Sequence, residues 1–266
     1  MIVDRAAARL GERGVPSPRV DAEWIVAHVL GVTRSSLATA GHVVDETAVW
    51  PLVERRARRE PLAYVLGEWG FRRLTLSCDD RALVPRPETE VVVERALALL
   101  RGRTRPRVLD VGTGTGAIAL SLADEAGADV VAIDSSPDAL ALARENTTRA
   151  GIDVELVQSD LRDGLPPGPF DLVVANLPYV LPDEWASLDP EVREWEPRDA
   201  LVEDGQTEAL AEAARDVLAQ GGHLVLEVHE RRAQEVAGLL ERLGYAAVAI
   251  SRDLAHRERV VDAIWP

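Results

Sequence analysis

The chain has 266 residues, and 47% of them are hydrophobic, enough for one large domain or for a medium domain with a smaller partner. All 30 basic residues are arginine, which excludes Schiff-base chemistry, the usual pyridoxal-phosphate enzymes and a phosphate-loop lysine. The net charge of −15 is uneven, because residues 1–90 carry 13 arginines and 13 acidic residues and the rest carries 17 and 32. This acidic second part disfavours extended binding to a phosphate backbone.

A single cysteine, Cys78, precludes an internal disulfide and favours a reducing compartment. We expect its side chain to be a small buried hydrophobe. The N-terminus lacks the apolar core of a signal peptide, and no stretch approaches the roughly 18 to 20 apolar residues of a membrane span. We therefore expect a cytoplasmic protein.

Residues 1–62 have helical spacing and are expected to form a small helical domain. The placement of its charges suggests that this domain docks the substrate. In "DAEWIVAHVLG", Asp21 is a candidate helix cap and Gly31 a candidate end. The run "ERRARRE" places Arg55–Arg59 in the same region, and its pattern favours a solvated helix face over a docking patch.

Residues 63–84 change to short alternating runs with glycine at the breaks, which predicts a connecting β-hairpin around Leu66 to Asp79. In the following "ALVPRPETEVVVERALALL", we expect Glu88 or Thr89 to begin a helix. A third region, residues 85–266, is then expected to be the main domain.

Beyond Arg107 the pattern of strands alternating with helices predicts an α/β fold, with a mostly parallel sheet covered on both faces. The predicted strands lie in "RVLDVG", "DVVAIDSS", "DVELVQSD", "FDLVVANL", "GGHLVLEVH", "YAAVAISRD" and "RVVDAIW". Only a short turn-like segment separates the last two, so we expect them to be antiparallel neighbours.

Ligands of such sheets bind at the carboxyl ends of the strands. The first candidate is "VLDVGTGTGAIAL", where Gly112, Gly114 and Gly116 would let the backbone approach a ligand closely. Gly112, Gly114 and Ala117 also fit the loose dinucleotide fingerprint, so an NAD enzyme remains open at this point. Asp110 suits a cationic ligand better than a pyrophosphate, because a carboxylate repels phosphates.

Two further strand ends carry acidic residues. Asp134 ends the next strand, where a carboxylate can accept hydrogen bonds from both ribose hydroxyls. Asp160 in "VQSDL" can accept from the exocyclic amine of adenine, or it can simply cap a loop.

The fourth strand end, "FDLVVANLPYVLP", combines four different features. Asn176 offers a carboxamide oxygen, Leu177 a backbone carbonyl, Pro178 a rigid turn and Tyr179 an aromatic face. Two acceptors beside a flat ring form a clamp for a planar group that bears an NH2.

Together these segments resemble the class I S-adenosylmethionine-dependent methyltransferases, in the amino-methylating branch with the motif Asn or Asp, Pro, Pro, Tyr. The order of "REPLAYVLGEWGF", "LVPRPETE", "VLDVGTGTGAIAL", "NLPYV", "EPRDALVEDG" and "RDLAHRERVV" resembles the release-factor glutamine methyltransferases over nearly the whole chain. The resemblance implies a Rossmann-like, seven-stranded, mostly parallel sheet with an antiparallel last strand, and a small N-terminal helical domain joined by a β-hairpin. It also implies methylation of the side-chain amide of a glutamine on an exposed loop of a peptide chain release factor.

Residue roles follow from the same resemblance. S-adenosylmethionine would be bound by Asp110, Gly112, Thr113, Gly114, Thr115, Gly116, Asp134, Ser135, Asp160, Leu161 and Asn176. The substrate would be bound by Arg86, Glu88, Asn176, Leu177, Pro178 and Tyr179, of which the last four are the candidate catalytic residues. No metal is expected.

Some features depart from the family pattern. The first proline after Asn176 is replaced by Leu177, and Asn-Leu-Pro-Tyr resembles the ribosomal RNA adenine dimethylases. The usual Glu-Ile-Gly strand end is "EVH", in which His229 is interpreted as a substitution, and His223 is expected at the surface.

Three alternatives therefore stay open. The first is an RNA adenine amino-methyltransferase, which the acidic second part of the chain and the leading helical module disfavour. The second is a non-catalytic S-adenosylmethionine-binding protein, which would not need the clamp. NAD-dependent oxidation is the third and the least favoured.

Overall fold

In a computed structural model of the chain, residues 2–38 and 44–266 are described, and they form two compact units. The first, here called the helical unit, takes in the described residues up to Glu68 together with Leu188–Trp195. The second, the sheet unit, takes in Trp69–Ser187 and Glu196–Pro266. Within the described ranges, no helix has both the length and the apolar composition needed to cross a membrane.

The helical unit buries Leu10, Ile25, Val49 and Val53 in its interior. Its helices are α1 (Ile2–Glu12), α2 (Pro18–Leu30), α3 (Glu46–Ala57), α4 (Leu62–Leu66) and, from much later in the chain, α8 (Pro190–Trp195).

Helix α2 has clear local reasons for its bounds. Pro18 suits the first turn, where its missing N–H would have no helical partner. Gly31 ends the helix in the left-handed region at a φ of 64°, and the backbone N–H there donates to the carbonyls of Ala27 and His28. The prediction that α2 ends at Gly31 is confirmed.

The prediction that Asp21 caps α2 is wrong. Ser17, not Asp21, occupies the N-cap position of α2, and Asp21 is only 7% exposed. Asp21 instead accepts a hydrogen bond from Arg56 Nε at 2.7 Å. The sequence does not separate a helix cap from a buried partner of an arginine, because both roles place an acidic residue early in a helix.

The arginine run of α3 is not a solvated face. Arg56 is buried and donates through Nη2 to Glu191 Oε1 at 2.8 Å, and Arg59 Nε donates to the same oxygen at 2.7 Å. Arg55 pairs with Glu60, whereas Arg58 is exposed. Most of these charges therefore hold the helical unit together from within, since buried charges require partners.

The expected hairpin follows α4 in the chain. Strands β1 (Glu68–Phe71) and β2 (Leu74–Ser77) pair as a two-stranded sheet, which confirms the prediction. Helix α5 (Thr89–Leu99) follows, with Glu88 at its N-cap position, as expected. Cys78, at the end of the hairpin, is buried as predicted.

All seven predicted strands form a single sheet with the spatial order β5-β4-β3-β6-β7-β9-β8. They are β3 (Arg107–Val111), β4 (Asp129–Asp134), β5 (Glu155–Gln158), β6 (Phe170–Asn176), β7 (Leu218–Glu227), β8 (Ala246–Arg252) and β9 (Glu258–Ile264). Strand β9 runs antiparallel to both β7 and β8, which confirms the antiparallel last strand. The other helices of the unit are α6 (Ala117–Ala126), α7 (Pro137–Ala150), α9 (Gln206–Val217) and α10 (Ala233–Arg242).

The strand order fixes the place of a site. From β3 the chain moves outward through β4 to β5, and then returns to β6 on the other side of β3. The carboxyl ends of β3 and β6 are direct neighbours, with Val111 paired to Ala175. A crevice at such a reversal of strand order is where open α/β sheets bind ligands.

Candidate active site

A cavity of about 640 Å³ lies at the carboxyl ends of β3, β4 and β6. The predicted site residues that line it are Arg86, Gly112, Thr113, Gly114, Thr115, Asp134, Ser135, Asp160, Leu161, Asn176, Leu177 and Pro178. Asp110, Gly116, Glu88 and Tyr179 are not among its lining residues. The fold thus gathers residues from five separate segments of the sheet unit around one volume.

The loop after β3 lines the cavity with residues 112–115. Gly112 has a φ of 73°, and a Cβ added there would stand 3.2 Å from Leu177 Cδ2. The N–H groups of Gly112 and Thr113 donate to the Ile133 carbonyl at 2.9 and 3.0 Å. These bonds turn the loop toward β4. The positive φ favours glycine at the first position of the loop, because other residues are strained there.

Asp134 faces the cavity from the end of β4. Its Oδ2 accepts from the Gly114 backbone N–H and its Oδ1 from that of Ser136, both at 2.9 Å. Burial raises the pKa of this carboxyl above its usual range, while the backbone donors oppose the rise. Each oxygen keeps a second lone pair, so the carboxylate can also accept from two adjacent hydroxyl groups.

Asp160 takes the loop-capping role that the sequence left open. Its Oδ1 accepts from the Arg162 backbone N–H at 2.9 Å, which caps a short turn after β5. The same residue lines the cavity beside Leu161.

Asp110 lies behind the glycine loop and is fully buried. Its Oδ2 accepts from the Thr113 hydroxyl at 2.7 Å, while Oδ1 has no hydrogen-bond partner among the described residues. Burial, with a smaller contribution from nearby Asp134, raises the pKa of Asp110 to about 7. Its contact with Thr113 means that it acts on the loop from within the protein.

Asn176, the last residue of β6, has a fixed side chain. Its Nδ2 donates to Thr89 Oγ1 at 3.0 Å, across from the start of α5. Because the NH2 end is held there, the amide leaves Oδ1 as the acceptor for a ligand. The next residue, Leu177, is 6% exposed and packs its side chain against Gly112.

Tyr179 is half-buried at the edge of this arrangement. Its hydroxyl donates to Glu227 Oε1 at 3.1 Å, and the Arg259 guanidinium lies over its ring at 5.6 Å. Burial, reinforced by the negative charge of Glu227, raises the pKa of the Tyr179 hydroxyl. The phenol therefore stays protonated and acts as a hydrogen-bond donor.

Arg86 and Glu88, both in the "PRPETE" segment, have different surroundings. Arg86 lines the cavity and donates through Nη2 to the buried Glu196, whose Oε2 also accepts from the Val84 N–H at 3.3 Å. Glu88 accepts from Arg257 Nη2 at 2.9 Å. Burial raises the pKa of Glu196, while Arg86 opposes the rise.

Comparisons with known proteins match this architecture. Residues 2–67 match a family model described as the PrmC N-terminal domain, and residues 108–195 match one described as a methyltransferase domain. A release factor glutamine methyltransferase of Deinococcus radiodurans is 47% identical over 274 residues, which cover 98% of this chain and 96% of that protein. The chain belongs to the release factor glutamine methyltransferase family. The resemblance stated from the sequence motifs is confirmed.

Another member of the family, from Streptomyces coelicolor, is 39% identical over 271 residues, covering 98% of this chain and 96% of that protein. Among solved structures, a methyltransferase from Pyrococcus furiosus has a TM-score of 0.58 at 19% identity, covering 80% of this chain and 98% of that one. This likeness shows a shared methyltransferase fold, which confirms the predicted fold class.

Three residues with clear contacts at the site were missed from the sequence. They are Thr89, Glu196 and Glu227. Glu227 left the plainest signal, because it is a lone carboxylate within the apolar run "HLVLEV" of a predicted central strand. Such a residue is rarely buried unless it has partners.

The structure shows the surroundings of two histidines, His223 and His229. His223 is buried in β7, so the prediction that it lies at the surface is wrong. Burial lowers its pKa, followed in size by the charge of Arg103. His229 accepts from the Arg231 N–H through Nδ1 at 3.2 Å, and its Nε2 lies 3.1 Å from Glu184 Oε2.

Proposed function

We propose that this protein transfers a methyl group from S-adenosylmethionine to the side-chain amide nitrogen of a glutamine in a peptide chain release factor. The observation that carries the proposal is the fixed amide of Asn176, whose Nδ2 is held by Thr89 so that Oδ1 remains to accept from a substrate. Membership of the release factor glutamine methyltransferase family supports the same substrate class.

The residues around the cavity fit S-adenosylmethionine. Residues 112–115 of the loop after β3 line the cavity, and both oxygens of Asp134 keep lone pairs for the two ribose hydroxyls. Asp160 and Leu161 would border the adenine, and Asn176 the methionine part. When bound, this cofactor supplies a methyl group made electrophilic by its positive sulfur.

Asp110, Thr113, Thr115 and Ser135 complete the proposed cofactor site in two ways. Thr113, Thr115 and Ser135 line the cavity directly, whereas Asp110 holds the Thr113 hydroxyl from behind. We therefore assign Asp110 a supporting role in the shape of the loop.

The protein's task toward the substrate is to position a poor nucleophile. The nitrogen of a glutamine amide is weakly nucleophilic because its lone pair is delocalised into the carbonyl group. In our proposal, Asn176 Oδ1 and the Leu177 carbonyl each accept one of its N–H bonds, which directs the lone pair toward the methyl group. Positioning of this kind can supply about 7 to 11 kcal/mol in favourable cases.

Pro178 and Tyr179 would frame the target amide. Pro178 lines the cavity, and the contact of Tyr179 with Glu227 fixes its ring at the edge. Arg86 would border the substrate entrance, while Glu88 would act through its ion pair with Arg257. After methyl transfer the nitrogen is strongly acidic and loses its proton to water, so no carboxylate of the chain has to act as a base.

Leu177 does not require an RNA substrate. Its side chain packs against Gly112 inside the fold, and the group assigned to the substrate is its backbone carbonyl, which leucine supplies as proline does. The acidic surplus of residues 91–266 also favours a protein partner over RNA. A release factor acts in translation, which makes the cytoplasm the proposed compartment.

The test is transfer of isotope-labelled methyl from S-adenosylmethionine to purified release factor, with ribosomal RNA in a parallel reaction. We expect label on one glutamine of the release factor and none on RNA. Label on RNA adenine, or no transfer by a preparation that binds S-adenosylmethionine, would contradict the proposal.

A further inference from the structure

Two side chains of the sheet unit contact Tyr179 at different places. Glu227 Oε1 accepts from its hydroxyl at 3.1 Å, and the Arg259 guanidinium lies over its ring, 5.6 Å from the centroid. Both residues come from strands close to the clamp. Glu227 ends β7 opposite Asn176, and Arg259 precedes Val260, the residue of β9 that pairs with Glu227. The aromatic ring is therefore held at its tip and over one face.

Glu227 holds the tip of the ring from inside the protein. The residue is 2% exposed, and its Oε2 has no hydrogen-bond partner among the described residues. Burial raises the pKa of this carboxyl to about 7. Both the ionised and the protonated carboxyl keep an oxygen that can accept from the Tyr179 hydroxyl. The contact with the ring therefore does not depend on which form is present.

Arg259 is equally fixed behind the ring. It is 6% exposed, its Nη1 donates to the Val228 carbonyl at 3.1 Å, and its Nε lies 3.7 Å from Asp253 Oδ2. Asp253 is itself held in the turn between β8 and β9, where its Oδ1 accepts from the N–H groups of Ala255 and Arg257 at 2.9 and 3.0 Å. The guanidinium would have to give up these contacts before it could leave the ring.

We propose that Glu227 and Arg259 are positioning residues, which together hold the Tyr179 ring so that only one of its faces can stack on the target amide. This inference rests on the proposed function, because it concerns the aromatic side of the same clamp. A guanidinium at this distance is attracted to the face of the ring and occupies it. A planar amide is then left with one stacking orientation, which sets the direction of its nitrogen relative to Asn176 Oδ1.

The inference predicts a specific defect. Without these contacts the ring can tilt, and the amide adopts orientations in which its nitrogen no longer points at the methyl group. The rate of transfer should then fall, while the KM for release factor changes little, because the lost interaction aligns the reacting groups. Binding of S-adenosylmethionine, held mainly by the loop after β3 and by Asp134, should also change little.

Glu227 offers a matched pair of variants. Glu227→Gln keeps an accepting oxygen at the end of the side chain, whereas Glu227→Met has a similar length and no such oxygen. We expect Glu227→Met to lower kcat on release factor by roughly 10- to 100-fold, as for a slightly misplaced reacting group. Glu227→Gln should recover most of that loss. Equal losses in the two variants would overturn the inference, since the hydrogen bond to Tyr179 would then not be the cause.

Tyr179→Phe tests the same contact from the other side. It removes only the hydroxyl, so we expect a loss of kcat similar to that of Glu227→Met. The double variant should lose no more than either single variant, because both changes act on one contact.

Stability separates positioning from a merely structural role. Each single variant leaves one polar group of the contact without a partner, whereas the double variant leaves none, so its melting temperature should recover. Its kcat should stay low. Recovery of kcat together with the melting temperature, or fully multiplying losses of kcat, would overturn the inference.

Arg259→Met tests the cation over the ring. Arg95→Met is the matched control, because Arg95 Nε donates to Asp262 of the same strand β9 at 2.7 Å and none of its described contacts is with Tyr179. We expect both variants to lower the melting temperature and only Arg259→Met to lower kcat. Equal kcat values in the two arginine variants would overturn the role assigned to Arg259.

The outcomes also distinguish this inference from the proposed function. An inactive wild-type enzyme on release factor would overturn the proposed function. An active wild type whose kcat is unchanged in Tyr179→Phe and Glu227→Met would overturn only the positioning of the ring.

Discussion

Three largely buried carboxylates, Glu191 in the helical unit and Asp110 and Glu227 in the sheet unit, have opposite surroundings. In the helical unit, burial alone would raise the pKa of Glu191, but hydrogen bonds from Arg59 and Arg56 hold it below its usual range. In the sheet unit, Asp110 and Glu227 accept hydrogen bonds from hydroxyl groups rather than from arginines. Burial raises the pKa of each to about 7.

The difference separates carboxylates that stabilise the fold from carboxylates that lie near the proposed active site. A carboxylate matched by two guanidinium groups can contribute to one stable arrangement of helices. A buried carboxylate without such a match destabilises the fold when it is ionised, and perturbed groups of this kind cluster at functional sites. Asp21 is intermediate between the two kinds, because burial raises its pKa even though Arg56 donates a hydrogen bond to it.

The largest expected effect comes from removing a buried arginine charge of the helical unit. Arg56→Met leaves Asp21 and Glu191 buried with fewer partners, and we expect a loss of roughly 3 to 5 kcal/mol in the free energy of unfolding of that unit. Denaturant titration measures it. The exposed neighbour Arg58 provides the control, because Arg58→Met should change stability by no more than about 0.5 kcal/mol. Equal effects would contradict the contrast.

Asn176→Ala should act on turnover rather than on stability. It removes the proposed acceptor for the substrate amide, and the loss of one preorganised group at an active site lowers kcat by roughly 10²- to 10³-fold. The measurement is the initial rate on release factor at saturating S-adenosylmethionine.

A second asparagine sharpens this prediction. Asn146 is buried, accepts from the Ser77 N–H at 2.7 Å and donates to the Thr115 carbonyl at 2.9 Å. Asn146→Ala should therefore lower the free energy of unfolding by roughly 1 to 3 kcal/mol, since it leaves backbone groups without partners. A greater stability loss in Asn176→Ala than in Asn146→Ala would contradict the assigned roles.

Asp110 should make stability depend on pH. Its pKa of about 7 in the folded protein lies above the ordinary value of 3.8, so between these values the folded state retains a proton that the unfolded chain has released. Its contribution to the free energy of unfolding therefore falls as the pH rises from about 4 to about 7. Asp110→Asn cannot ionise, and its stability relative to wild type should rise across that window by roughly 2 to 4 kcal/mol.

The measurement is the melting temperature of both proteins across the same pH range. The exposed Asp138 supplies the control variant, Asp138→Asn, which removes no buried charge. A constant difference between Asp110→Asn and wild type would show that Asp110 is already ionised at the low end of the range.

The smallest effect is expected at the glycine loop. Gly112→Ala places a Cβ at a positive φ and against Leu177, and the backbone conformation alone costs roughly 1 to 2 kcal/mol. Gly127 has a φ of 59° but open space around it, so Gly127→Ala shares the backbone cost without the contact. Gly112→Ala should also weaken binding of S-adenosylmethionine, measured by calorimetry, and Gly127→Ala should not.

The sequence predicted those features that depend on nearby residues. Each strand of the large sheet has its own apolar run, and Gly112, Asp134 and Asn176 follow directly at strand ends. Because the carboxyl ends of parallel strands meet at one edge, the cavity could be anticipated from these positions alone.

The missed contacts depend on register and on distant segments. Glu191 pairs with Arg56 from 135 residues away, and Glu196 with Arg86 from 110 residues away. Glu227 meets Asn176 only because β7 and β6 pair in one particular register. Local patterns carry no information about such pairings, so the sequence predicts a cap at Asp21 and a solvated face for the arginines of α3.

The central claim is that the clamp at Asn176 presents an amide nitrogen for methylation. Its most direct test is the chemical form of the label in release factor treated with this enzyme and labelled S-adenosylmethionine. Hydrolysis of an N-methylated side-chain amide releases methylamine, so the account predicts label in methylamine and a single modified glutamine by mass spectrometry. Label released as methanol, or retained on arginine or lysine after hydrolysis, would contradict it.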